Sequence, residues 1–226
     1  MFNILLQDTT AVSLPATAPD GGLNALDLLM KGGPVMIPIF ILSFAAIYIF
    51  VERYRYINRA GTLDPNFLGQ IKDLLYKGDV KGALAYCNKS TYPIARLLER
   101  GLLRMGQDTR DIESAIESTA RVEVYNMERN LSILSAIAAI APMFGFLGTV
   151  LGMIKAFYNI SISDNISIGI IAGGMYEKMV TSASGLVVGV MAYMLYTLLN
   201  AKIDRVVNKM EVTAIEFLDL LHKPMD

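Results

Sequence analysis

The chain carries one cysteine and one histidine, and its charges almost cancel, at a formal net −1 over 226 residues. With Cys87 alone there is no disulfide framework within one chain, and with His222 as the sole imidazole a Cys/His metal cluster lacks donors. Cys87 reads as a small buried hydrophobe and His222, near a polar C-terminus, as solvated. A balanced charge supplies no basic footprint, so nucleic acid is not an expected partner. Met1 to Leu6 does not read as a cleavable signal either, having no basic n-region and being shorter than an h-region. Catalytic patterns are absent too. There is no Ser-His-Asp arrangement, no pair of catalytic carboxylates, no phosphate-binding glycine loop behind a strand and no metal spacing. The expectation is a non-enzyme without cofactor or metal.

What the chain has is apolar sequence in blocks. Hydrophobic residues make up 54% of it, and the mean hydropathy is +0.44. No charged residue occurs from Asn130 to Ile154. At about 1.5 Å per helical residue, that run is long enough to cross a bilayer. Three spans follow from the pattern, at 34–51, 131–158 and 168–199. The predicted fold class is therefore all-α, a polytopic membrane protein with three transmembrane helices and long helices reaching into the cytoplasm.

Lys and Arg placement sets the orientation. Before the first span there is only Lys31, whereas thirteen Lys and Arg lie in 52–130 and none in 159–167. This predicts residues 1–33 and the loop 159–167 outside, with 52–130 and the tail 200–226 inside. Within 1–33, Asp27-Leu28-Leu29-Met30 reads as a short interfacial helix before the Gly32-Gly33-Pro34 break. Within 52–130, Asp64-Pro65 reads as the cap and first position of a helix. Gly78-Asp79 breaks it and starts another, and Pro93 opens a third. A longer helix is expected from near Asp111, continuing into the second span without a stop. A charged helix over about Ala201 to Leu221 should prolong the third span.

The spans hold more than grease. In helical register Ala138, Pro142, Gly145, Thr149, Gly152 and Ala156 form one stripe, and small residues let a neighbouring helix approach closely. The third span repeats the theme: Gly185 and Gly189 echo Gly148 and Gly152. Glu177, Thr181 and Ser184 share a narrow sector there, while Ser182 points toward an adjacent helix. An ionisable residue at membrane depth costs on the order of 2–3 kcal/mol unless it meets water or a partner. One alternative has Glu177 and Lys178 snorkelling at the outer interface. The other makes the two small-residue helices, each bearing hydroxyls, the wall of a pore.

These residues resemble the ExbB/TolQ/MotA family of ion-driven motor proteins, most closely its ExbB/TolQ branch. The match runs through Glu128-Arg129-Asn130-Leu131, Ala141-Pro142 and Phe146-Leu147-Gly148-Thr149-Val150 to Gly152-Met153. It resumes at Ala172-Gly173-Gly174, Glu177, Thr181-Ser182-Ala183 and Gly185-Leu186. The resemblance implies a bacterial inner-membrane homopentamer whose second and third spans line a central pore, with the N-terminus periplasmic and the C-terminus cytoplasmic. A dimer of a single-span ExbD/TolR-like partner would occupy that pore, carrying the ion-binding aspartate that this chain lacks. It further implies Thr149, Thr181 and Ser182 as pore hydroxyls and Glu177 as the carboxylate near the outer mouth. Pro142, Gly145, Gly148, Gly152, Gly185 and Gly189 would pack helices at the pore. The implied work is proton-driven, with sodium as the alternative ion, and passes through a TonB-like protein to outer-membrane transport. A TolQ-type motor for envelope maintenance and a passive membrane scaffold are the alternatives. Two departures stand out: Lys178 replaces a small apolar residue, offering Glu177 an ion-pair partner. The proline many relatives carry after Gly189 is missing, which implies a straighter third span.

Overall fold

A computed structural model of the chain describes residues 33–62, 66–162 and 168–222. Its elements are helices: α1 (Met36–Gly61), α2 (Phe67–Tyr76), α3 (Val80–Lys89), α4 (Pro93–Leu102), α5 (Thr109–Glu128), α6 (Leu131–Ser161) and α7 (Ile168–His222). No strand occurs among the described residues, so the all-α expectation holds. The interfacial helix expected around Asp27 and the Asp64-Pro65 cap fall outside the described residues.

Three of these helical stretches are long and apolar enough to span a membrane: Met36–Gly61, Thr109–Ser161 and Ile171–Leu221. Only 28%, 28% and 22% of their most apolar windows are buried within the chain. The rest, including Phe44, Phe146, Phe157, Val190 and Met194, points outward. Apolar side chains exposed on that scale need lipid or another protein against them. The chain is a multi-pass membrane protein.

Helix ends follow local chemistry. Gly78, at φ +72°, closes α2 in the left-handed region, where glycine has no Cβ to clash. Asp79 then caps α3 by accepting from the Gly82 N–H at 2.9 Å. Pro93 takes the first turn of α4, where its missing N–H is not needed. The helix expected to run unbroken into the second span is instead interrupted. Arg129 is extended and Asn130 sits at φ 65°, ending α5 before α6 begins. Asparagine tolerates that left-handed conformation better than most residues. By contrast α7 runs on continuously to His222, as expected.

Two packed regions result. The shorter helices bury Phe67, Ile71, Ala83, Cys87, Leu97 and Leu98 around the distal part of α7. Here α4 wedges beside α7 because Gly101 has no side chain: a Cβ there would lie 2.6 Å from the Phe217 ring. In the second region α6 and α7 form the most extensive helix pair, and α1 packs against both.

Candidate functional site: the α6–α7 seam

The α6–α7 pair is antiparallel and changes character along its length. Toward α5 it is filled mainly by large residues, Leu131, Leu134, Ile137 and Leu199, with Ala192 among them. Toward the α6–α7 connection the fillers are glycines, and the backbones close up. A Cβ on Gly145 would lie 3.0 Å from the Ser182 carbonyl oxygen, and one on Gly185 would lie 2.6 Å from the Ala141 carbonyl oxygen. At Gly189 a Cβ would meet the Pro142 ring at 2.5 Å and the Ala138 carbonyl oxygen at 2.9 Å. Pro142 explains the last contact. Without an N–H it cannot bond the carbonyl four residues back, which is that of Ala138, the oxygen that stands nearest the Gly189 Cβ position. The small-residue stripes are therefore each other's partner within one chain.

Thr181 is the polar residue sealed into this seam, at 0% exposure. Its methyl carbon rests on Gly148, 2.8 Å from where a Cβ would stand. Thr149, next along α6, lies half-buried at the seam's margin and donates its hydroxyl to the Phe146 carbonyl at 2.6 Å. Ser184 donates to the Val180 carbonyl at 2.9 Å. Such back-bonding satisfies the hydroxyl proton inside an apolar helix while leaving the oxygen's two lone pairs available. Ser182 is half-buried, its backbone against Gly145. Glu177 lies on α7 one turn before Thr181.

Lys178 adds a contact across the seam. Its aliphatic stem lies across Gly152, occupying the space a Cβ there would need, and its Nζ stands 3.7 Å from the Cβ position of Gly33. The side chain thus runs from α7 over α6 toward the start of α1. A glycine in the helix facing it was the only available clue.

Of the predicted residues, the structure gathers Pro142, Gly145, Gly148, Gly152, Thr181, Ser182, Gly185 and Gly189 into one seam, with Thr149 at its edge. Two further charged residues are buried: Arg53 at 6% and Glu123 at 4% exposure. Glu123 accepts from Arg96 Nη1 at 2.8 Å, and this bond holds the Arg96 guanidinium above its usual pKa. Burial, with the charge of Glu99 added, pushes the Cys87 thiol up to about 11. Among the described residues no His/Cys/Asp/Glu group suits a metal ion.

The profile of the MotA/TolQ/ExbB proton channel family matches residues 89–212, a stretch holding the whole seam. An ExbB-like biopolymer transport protein of Synechocystis sp. is 30% identical over 77% of this chain and 70% of its own length. Biopolymer transport protein ExbB of Pseudomonas putida is 25% identical over 98% of this chain and 69% of its own. The Tol-Pal system protein TolQ of Haemophilus influenzae is 25% identical over 89% and 95% respectively. The chain belongs to the MotA/TolQ/ExbB proton channel family.

Proposed function

We propose that the chain is a subunit of a proton-motive-force-driven inner-membrane motor of the ExbB–ExbD type, energising TonB-dependent transport across the outer membrane. One observation carries the reading: a hydroxyl, that of Thr181, is sealed inside the glycine seam against Gly148. Packing alone would be served there equally well by valine, which has nearly the same shape and no hydroxyl. Thr149 lies at the seam's margin, and Glu177 precedes Thr181 by one helical turn on α7. In this reading they form an ion route with Ser182, while the glycines hold α6 and α7 close enough to keep it narrow.

The thirteen Lys and Arg of 52–130 support an inside location for the short helices and an outside location for the α6–α7 connection. The large outward apolar faces of α6 and α7 support a homopentamer with these helices toward a central pore. An ExbD/TolR-like dimer fills that pore and supplies the acid that carries the ion, and a TonB-like protein takes the work outward. The chain itself needs no cofactor and turns over no substrate.

A TolQ-type role in envelope maintenance is the second reading, favoured by the TolQ relative aligning over 95% of its length. Complementation separates the two. Expressed with its own partner in a host lacking both motors, the chain is expected to restore TonB-dependent uptake of iron complexes. Restoration of detergent resistance alone would assign it to the Tol type, and restoration of neither would leave the scaffold reading.

A further inference from the structure

Arg53 follows the first apolar span on α1, and its side chain is only 7% exposed. An arginine there would ordinarily snorkel to water. Instead Nη1 donates to the main-chain carbonyl of Asn126 at 3.0 Å. Nη2 donates to Glu52 Oε1 at 2.7 Å, and the guanidinium lies 5.6 Å from the centre of the Tyr56 ring. Asn126 is in the last turn of α5, where carbonyls lose their intrahelical partners. Two residues after α5 ends, Asn130 takes the left-handed conformation and α6 begins. A cation from α1 thus caps the helix that leads directly into the joint.

Neighbouring contacts point the same way. Lys202 of α7 places Nζ 3.7 Å from the centre of the Tyr54 ring. Lys209, further along α7, donates to the carbonyl of Gly61, the last residue of α1. One turn before Asn126, Glu123 holds Arg96 of α4. The lower part of α1 is therefore fastened to α5 and to α7 at the level where α5 becomes α6.

We propose that Arg53 is a positioning residue for ion-driven motion. By capping α5 it holds the Arg129–Asn130 joint, so that the α2–α5 helices and α6 move as one body. A planar fork with donors in two directions suits this task; a lysine ammonium at the end of a flexible stem cannot reproduce both bonds and the ring contact. The consequence for work rests on the motor reading above, whereas the consequence for the joint does not.

The test uses the full chain with its partner, as Arg53→Gln and Arg53→Lys, each read by amide hydrogen exchange and by proton-driven work. Arg53→Gln is expected to speed exchange at residues 127–134 about tenfold or more while residues 80–102 keep their protection. Arg53→Lys should fall between, and it carries the test if the glutamine variant does not assemble. Work should fall with joint protection in both. Unchanged exchange at 127–134, or faster exchange throughout the chain, would overturn the proposal. So would a loosened joint with full work, provided Thr181→Val abolishes work in the same assay. If Thr181→Val also retains full work, the motor reading fails and the exchange result alone decides the role of Arg53 at the joint.

Discussion

Thr181 of α7 seats its methyl carbon on Gly148 of α6, where a Cβ would come within 2.8 Å of it. The contact fixes how far apart the two helices stand at the level of the proposed ion route. Gly148→Ala should push them apart and cost about 1–3 kcal/mol, as overpacked cores do. Gly173 has nothing within 4 Å of its Cβ position. Gly173→Ala should therefore leave stability unchanged or gain up to about 1 kcal/mol from helix propensity. Thermal unfolding of the purified protein distinguishes these opposite signs.

Lys178 and Gly152 should be energetically coupled. Gly152→Ala displaces the Lys178 stem, so the loss ought to shrink when Lys178→Ala has already emptied the space. A double-mutant cycle is expected to show a coupling of about 1–2 kcal/mol. Additivity of the two changes would mean that the stem does not rest there.

Glycine at 101 admits the Phe217 ring and the Ile116 side chain, with Cβ distances of 2.6 and 3.0 Å. Gly101→Val should separate α4 from α7 and cost about 1–3 kcal/mol or more. Apolar packing around Phe217 is expected to loosen before the α6–α7 seam does, visible as faster exchange in α4 and unaltered exchange near Thr181.

Cys87 gives a pH signature. Its thiol pKa is raised from 9.0 to about 11, chiefly by burial. Below about pH 9 both folded and unfolded chains hold the proton, and the full stability is present. Between roughly pH 9 and 11 only the unfolded chain loses it, so stability should fall as pH rises, by about 1.4 kcal/mol per unit. Cys87→Ala should remove that slope. Alkylation of Cys87 at pH 8 should be slow in the folded protein and fast after denaturation.

Much of this was legible in the sequence because it rests on local periodicity. Charge-free runs give the spans, Gly78-Asp79 and Pro93 give helix boundaries, and recurring glycines at steps of three and four give the seam. The joint at Arg129–Asn130 escaped because asparagine is only a mild breaker, and its left-handed conformation depends on what packs around it. The role of Arg53 escaped too, since its acceptor is a backbone carbonyl 73 positions away. The path of Lys178 over Gly152 depends on the register between two helices, which one sequence does not specify.

Ion identity can be resolved at fixed pH. With hydroxyls and a carboxylate both able to serve either ion, the proton reading predicts equal work with and without sodium. Dependence on sodium at constant pH would reassign the coupling ion while leaving the route in place.

The central claim is most directly tested by proton flux through the chain and its partner in vesicles, with Thr181→Val compared to the unaltered protein. Valine keeps the methyl contact on Gly148 and nearly the same volume but removes the hydroxyl. The account predicts intact assembly with flux reduced at least tenfold. Undiminished flux through a correctly assembled Thr181→Val complex would contradict it.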